Sequence, residues 1–564
     1  HTVIGRGGLT PSFTRATTGT VQDNEGILRT AIAGEVRFTG ARRVRNLLTF
    51  TEDFSNAAWL KSSGGAGSVP VVTSDQDPNP ISGVAYADKV VFTAPSAGDL
   101  SILQQSFTAT TGSQYIGSFY VKAFAAGDVG KVILFRHAAG GSYTQITLTS
   151  SYQRVALKET GIGAVAFDIG LRPTFSSSAG TVSIYLTATQ LEDITGRTDQ
   201  TTPSEYVSVG VLSAPYHGAG VDGVKYFDTD LSGNPIAAST LKGYLAEPAA
   251  TNLCTKSQEF DAWTKGNGGA GSLPVVTAND GVAPDGTTTA DKVVFAAPGA
   301  GDLSALTSPA FATTVASSYT SAVYIKAFAA GDVGKQILTR QAGAAGYTAK
   351  TLTADWQRLG TTETATGAST SIDIVLRPTF GGSSGTVSVY LWGAQLELGS
   401  AATSYIPTTT VAVTRNADVL TYTGGDIANI KTLAATFRRE AGVSAAGWAA
   451  TLSDGTVNNY MSVSVDSATE SRFLGVSGGA VQWDATPSYT AGTQSKASFS
   501  AATNDIKMDK DGTAQAQDTI ATVPTVTQLN VGHAAGSFVL NGHVGHIYGW
   551  TTNKSQSELG AIDR

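Results

Sequence analysis

Short runs in which apolar and small polar residues alternate recur along the whole chain. Tyr115-Ile116-Gly117-Ser118-Phe119-Tyr120-Val121, Thr181-Val182-Ser183-Ile184-Tyr185-Leu186 and Thr386-Val387-Ser388-Val389-Tyr390-Leu391 are examples. A period of two puts every second side chain on one face, so each run predicts a strand with one buried side. Clusters of Gly, Ser, Asp and Pro separate the runs, as turns require. No long stretch of helical period competes. The pattern predicts an all-β chain.

The runs repeat at long range. Lys122–Lys131, KAFAAGDVGK, returns unchanged at Lys326–Lys335. GGAGS recurs at Gly64 and Gly268, ADKVVF at Ala87 and Ala290, LRPTF at Leu171 and Leu376, GTVS at Gly180 and Gly385, and QLE at Gln190 and Gln395. These strings are spaced at 203 to 205 residues. That is far beyond the period of about 20–50 residues of a solenoid, so each copy is a domain with its own core. The copies span residues 46–210 and 252–418. Regularly spaced short strands in units of this size predict sandwiches of jelly-roll type. Residues 1–45 form a leader and 211–251 a linker. Residues 419–564 match neither copy and also alternate as β, with a hairpin expected at Asp509-Lys510-Asp511-Gly512, since Asp-Gly favours tight turns.

Composition narrows the function. Charged residues make up 14% of the 564, against about 25% in an ordinary domain, so Ser, Thr and Ala solvate the surface. A net charge of −7 without a basic block argues against nucleic-acid binding. The single cysteine, Cys254, excludes a disulfide framework and cysteine-based metal sites. No apolar run approaches the roughly 18 residues of a membrane helix, so no membrane insertion is expected. The sequence opens on His1 with no secretory signal pattern after it.

Particular strings carry a resemblance. Each copy opens with Asn-Leu, an acidic-Phe pair and a Trp: Asn46-Leu47, Asp53-Phe54 and Trp59, then Asn252-Leu253, Glu259-Phe260 and Trp263. The second copy closes with Gln395-Leu396-Glu397, Ala402-Thr403-Ser404-Tyr405-Ile406-Pro407-Thr408 and Thr414-Arg415-Asn416-Ala417-Asp418. This module resembles one found in virion proteins of tailed bacteriophages, and it is similar to jelly-roll carbohydrate-binding modules. Pro11-Ser12-Phe13-Thr14-Arg15-Ala16-Thr17 resembles the segment that often precedes it. The C-terminal part resembles a laminin-G/concanavalin-like sandwich through Ile506–Gly512, Asn530-Val531-Gly532 and Gly545–Trp550. The first copy departs from the pattern. It ends Thr202-Pro203-Ser204-Glu205-Tyr206-Val207 without the full closing string, so its last segment is expected to pack differently.

Candidate chemistry is sparse. Glycosidic cleavage needs two carboxylates flanking the bond, and residues 419–564 contain no strand of alternating acids. Asp505, Asp509 and Asp511 cluster where a turn is expected, and a calcium site there would lack a distal carboxylate. His533, His543 and His546 are near in sequence. A regular strand would place His543 and His546 on opposite faces, against a zinc site. No G-x-S-x-G elbow marks a nucleophile. The Gly-rich strings precede no helix and read as loops, not phosphate cradles; no metal or cofactor is expected. Sugar rings stack on aromatic faces, which leaves Trp356, Trp392, Trp448 and Trp483 as glycan-binding candidates. Trp356 aligns with Tyr152, and Trp392 with Thr187, so core packing competes with that role. Arg172 and Arg377 sit at matched positions and are expected to lay their stems along the surface.

The expected fold is therefore two tandem homologous jelly-roll-like β-sandwiches followed by a concanavalin/laminin-G-like sandwich. The resemblance implies a non-enzymatic structural protein on the surface of a bacteriophage particle, a fibre, spike or capsid decoration, with weak host-glycan binding. It also implies a homo-oligomer, a trimer for preference, and a leader that folds on other virion proteins. A polysaccharide depolymerase and a purely architectural protein are the alternatives.

Overall fold

The computed structural model describes residues 9–137, 143–210, 218–343 and 346–562. The described residues are all-β apart from short 3-10 turns and one helix, Gln556–Ala561. They form two compact units, one of residues 41–236 and one joining residues 9–40 to 237–562.

Each copy is a sandwich of two five-stranded antiparallel sheets with the same strand order. In the first copy one sheet runs Gln153–Thr160, Gln114–Ala123, Gly180–Asp193, Ala87–Ala94, Ser68–Asp77. The other runs Thr144–Thr147, Val132–Arg136, Ala164–Leu171, Leu100–Thr108, Leu60–Gly64. The second copy repeats both orders, with Gly385–Leu398 and Ile372–Leu376 as its central strands. A bulge falls at matching points, between Ser118 and Tyr120 and between Ala322 and Tyr324. The alternation works as expected. Phe92, Phe119, Phe135, Phe167 and Trp59 interlock in the first core, and Trp263, Phe295, Val323 and Ile372 are among their counterparts in the second.

The opening and closing strings explain one another. Asn46 Nδ2 donates to the carbonyls of Thr189 and Val207, both at 2.9 Å, while its Oδ1 accepts from Leu48 and Leu191. Asn252 does the same with Ala394, Ile406, Cys254 and Leu396. Gln190 Oε1 accepts from Val207 N at 2.7 Å, and Gln395 Oε1 from Ile406 N at 2.8 Å. Glu192 and Glu397 hold the amides of Ser204 and Thr403. The first copy's closing segment therefore docks as the second's does, contrary to the expectation from its divergent sequence. The contacts are to backbone groups, which every residue carries.

The leader and linker supply strands to the C-terminal sandwich. Leu9–Thr14 pairs along its whole length with Val419–Gly424, completing a seven-stranded sheet of the C-terminal sandwich. Phe38–Thr39 and Gly243–Ala246 complete the facing seven-stranded sheet beside Gly542–Trp550. The C-terminal sandwich is thus closed by strands from the leader and the linker, and Leu9–Thr14 of the leader pairs within the chain. A buried ionic node fixes this arrangement. Asp418 binds Arg15 Nη1 at 2.9 Å and also pairs with Arg37. Glu247 binds Arg37 at 2.7 Å, and Ser404 N and Oγ at 2.6 Å each. Arg415 closes the node 3.4 Å from Glu247. With Glu35, also buried, three guanidiniums face three carboxylates. Flanking guanidiniums overcome burial and hold the Glu247 carboxyl below its ordinary range. The closing string TRNAD and the leader string PSFTRAT thus meet Glu247 of the linker at this node.

Candidate functional site

Most residues shared by the copies serve the fold. Asp88 and Asp291, from ADKVVF, each accept two backbone amides. Asp99 and Asp302 cap the loops at Ala66 and Ala270, each at 2.7 Å. One matched group lies on the outer face of a sheet, where core packing does not explain it.

In the first copy Arg136 and Asp168 are directly opposed on neighbouring strands, with Nε to Oδ2 at 2.7 Å. The Arg136 guanidinium covers the Tyr143 ring at 4.3 Å. Tyr143 meets Phe175 edge-on at 5.3 Å, and Arg172 covers Phe175 at 4.7 Å. The second copy repeats each contact. Arg340 binds Asp373 at 2.8 Å and covers Tyr347 at 4.4 Å. Tyr347 meets Phe380 at 5.3 Å, and Arg377 covers Phe380 at 4.5 Å. Phe175 is 40% exposed and Phe380 45%. LRPTF builds half of this group. After the strand ends, Pro173 starts a 3-10 turn that lifts Phe175 clear of the sheet, and Ser176 or Gly381 leaves the turn in the left-handed region. Burial raises the Asp168 carboxyl above its ordinary range, although Arg136 opposes the shift. Arg172 and Arg377 thus do more than lie along the surface, because each fixes an exposed ring by cation–π contact.

The four tryptophan candidates separate. Trp392 is 1% exposed and packs on Tyr405 at 4.6 Å, with Nε1 donating to Thr289. Trp483 is 3% exposed, and its indole lies over Gly475, where a Cβ would come within 2.2 Å of the ring. Neither can present a face to a ligand, so both glycan assignments are corrected to core packing. Trp356 is half-buried on the outer face of the other sheet, under Lys326 at 5.0 Å, as Tyr152 lies under Lys122 at 4.6 Å. Trp448 walls a cavity of about 420 Å³ with Tyr460, Val457 and Phe538. Its Nε1 and the Thr451 Oγ1 are buried without a hydrogen-bond partner among the described residues. Phe538, 4.6 Å from Trp448, sits in the left-handed region, as do Ala535 and Asn541 in the same loop.

The remaining candidates are structural. Asp509 accepts from Gly512 N at 2.8 Å, Asp511 accepts from Lys496 N at 2.7 Å, and Asp505 pairs with Lys507. The expected Asp-Gly turn is present, with both residues at positive φ. Among the described residues no group of three His, Cys, Asp or Glu is placed to hold a metal. His533 accepts from Gly536 N at Nδ1 and lies 3.0 Å from Leu420 O at Nε2, and burial lowers its pKa to about 4. One expectation is reversed. Gly545 and His546 together oppose Thr436, a bulge that puts His543 and His546 on the same outer face.

Sequence reasoning missed the Arg–Tyr–Phe–Asp group because its members lie up to 39 residues apart in the first copy and 40 in the second. The available signal was that Arg136, Tyr143, Asp168, Arg172 and Phe175 all recur at the repeat spacing.

No protein-family model matches the chain, and no curated protein sequence does. Solved structures with likeness to it include the enzymatically active domain of tailspike protein 4 of bacteriophage CBA120, at 14% identity over 27% of this chain and 22% of that one, with a TM-score of 0.19. The tandem CBM22-1–CBM22-2 domain of Paenibacillus barcinonensis Xyn10C aligns at 11% identity over 60% of this chain and 93% of that one, with a TM-score of 0.22. A Paenibacillus xanthan lyase aligns at 12% identity over 59% and 25%, with a TM-score of 0.20. The chain spans about a fifth of the tailspike domain's length.

Proposed function

We propose that this chain is a surface-exposed structural protein of a bacteriophage particle that binds host glycans without cleaving them. The observation that carries the binding is the duplicated outer-face group, Arg136, Tyr143, Asp168, Arg172 and Phe175, and its counterpart in the second copy. An exposed ring held by a cation offers an apolar face to a pyranose, and the partly exposed guanidinium edges offer donors to its hydroxyls, while the buried Asp168 and Asp373 carboxylates fix Arg136 and Arg340 in place. The particle assignment rests on the resemblance of the opening and closing strings to phage virion modules. Two copies of one site raise avidity where a host surface engages both.

A glycan array tests this reading, run with the whole chain and with Tyr143→Ala, Tyr347→Ala and the double variant. Each single variant should weaken binding several-fold, and the double variant at least tenfold, with no reducing ends released by any of them. Unchanged binding by the double variant would overturn the assignment of the site. Release of reducing ends by the intact chain would overturn the non-enzymatic reading.

A further inference from the structure

The C-terminal sandwich carries a feature that neither module has. A cavity of about 270 Å³ is lined by Ser239, Lys242, Arg438, Gln494, His543 and Gly545. At roughly 30 Å³ per water this space would hold about nine waters, or one sugar ring. Arg438 and His543 are direct cross-strand partners, so their side chains leave the sheet side by side on its outer face. Lys242 enters from the linker, one residue before the strand Gly243–Ala246. Neither Lys242 nor Arg438 is ion-paired among the described residues, and Arg438 Nε is buried without a hydrogen-bond partner. One carboxylate is near, that of Glu440, 3.2 Å from His543 Nδ1. His543 anchors its other nitrogen on Thr39 Oγ1 at 3.0 Å. His543, Arg438 and Lys242 all act on the Glu440 carboxyl and hold it below its ordinary range, and two cations against this one carboxylate leave the cavity with an excess positive charge beside an anchored imidazole.

The bulge at Gly545-His546 lies at the cavity's edge, and it continues the outer face into an aromatic stripe. His546 and Tyr548 are 6.0 Å apart, Tyr548 and Trp550 are 5.8 Å apart, and Lys554 stands over Trp550 at 5.9 Å. Tyr548 is 37% exposed. Without the bulge, His546, Tyr548 and Trp550 would face the core, and the cavity would adjoin the side of Ile547 instead. Gly545 also keeps the wall open, because a Cβ there would lie 2.5 Å from Thr436 Oγ1.

We infer that this face is a second class of glycan site, taking the carboxylate or sulfate of an acidic sugar between Lys242 and Arg438 and passing the rest of the chain along His546, Tyr548 and Trp550. The identity of the ligand as a glycan rests on the function proposed above, whereas the anion site stands on the cavity itself. The test therefore uses the whole chain carrying Tyr143→Ala and Tyr347→Ala, so that the module sites are silent. Trigalacturonate, its methyl ester and inorganic sulfate are titrated by calorimetry. Trigalacturonate should bind, its methyl ester should bind at least tenfold more weakly, and sulfate should compete. Lys242→Gln with Arg438→Gln should weaken trigalacturonate at least tenfold with circular dichroism unchanged. Tyr548→Ala should weaken trigalacturonate several-fold and leave sulfate unaltered. Equal binding of the methyl ester would overturn the anion site. Sulfate binding without trigalacturonate binding would overturn the glycan ligand, and no response to either would overturn the site. The module reading fails separately, on the array with the cavity intact.

Discussion

The two copies share strand order, bulge and outer-face site, yet one lies in the unit of residues 41–236 and the other is built into the larger unit. One difference tracks that setting. At Thr187 the first copy keeps a hydroxyl, bonded to Asn79 Nδ2 at 3.0 Å and Tyr86 O at 3.1 Å. At the matching Trp392 the second copy has a buried indole, in a cluster joined by Leu28 from the leader hairpin. That hairpin also bonds the second copy's backbone, through Leu28 N to Pro284 O at 2.9 Å and Thr20 Oγ1 to Tyr405 O at 2.8 Å. The scaffold is set by side chains that clamp backbone, and at Thr187 and Trp392 the copies diverge where the second meets the leader hairpin.

The sharpest break in this comparison is the ionic node, which involves the second copy's closing string only. Asp418→Asn removes the carboxylate shared by Arg15 and Arg37 and leaves buried guanidinium unpaired. Losing one member of a buried ion group costs about 3–5 kcal/mol. Hydrogen exchange under denaturant should show that loss in residues 9–40 and 237–562 and none in 41–236. An equal loss in both units would mean that the first copy depends on the node too.

Trp392→Thr gives the second copy the first copy's residue. Removing a buried indole should cost about 4 kcal/mol by the large-to-small rule, read as a lower denaturation midpoint of the larger unit. Glycan binding at Tyr347 should be unchanged, because Trp392 reaches no open face. Loss of binding in a variant that stays folded would restore the ligand role that its burial denies.

This position shows how much the sequence disclosed. Alternation and the long repeat were legible because strand period and duplication are local or self-evident, and they predicted the two sandwiches. The leader's pairing was not. Phe13 meets Leu420 across the sheet, and nothing local in PSFTRAT encodes a partner so distant. The outer-face group escaped because a cross-strand pair such as Arg136 and Asp168 depends on register. The face of His546 was misread because a single bulged residue inverts the parity of everything after it.

Two buried groups, one in each unit, titrate with opposite sign. In the first copy Glu52 accepts from Asn79 and Ser208 in a buried pocket, and burial lifts its pKa to about 7 from an ordinary 4.5. The folded state then binds the extra proton between these values, so the smaller unit loses stability as pH rises from about 4.5 to 7. The second copy has Gln258 at this position. In the larger unit buried His533 has its pKa lowered to about 4 from 6.5, so that unit loses stability as pH falls through this window. Exchange protection of the two units should move in opposite directions between pH 5 and 6.5. Glu52→Gln should flatten the first response and stabilise the smaller unit at pH 8 by about 3 kcal/mol. Parallel responses would show that other groups control both units.

The smallest expected effect falls on the longest identity. KAFAAGDVGK is unchanged between the copies, and in each its last lysine pairs with the aspartate three residues before it, Lys131 with Asp128 and Lys335 with Asp332, both at 2.8 Å. Each lysine also donates to a strand carbonyl, Thr181 O or Thr386 O, at 2.8 Å. These lysines are about one-third exposed, and a solvated pair of this kind contributes about 0–1 kcal/mol. Lys131→Ala and Lys335→Ala should each lower stability by less than about 1 kcal/mol, equally in the two units, in parallel denaturant titrations. Equal small losses would place the value of the decapeptide in its geometry. Its aspartates also accept from Ser183 N and Ser388 N at 3.3 and 3.2 Å, and its glycines Gly130 and Gly334 turn at positive φ. These backbone requirements bind each copy alike whatever surrounds it, so the segment can stay identical while Thr187 and Trp392 diverge. A loss of several kcal/mol in one copy alone would mean that the lysine has acquired a buried role there.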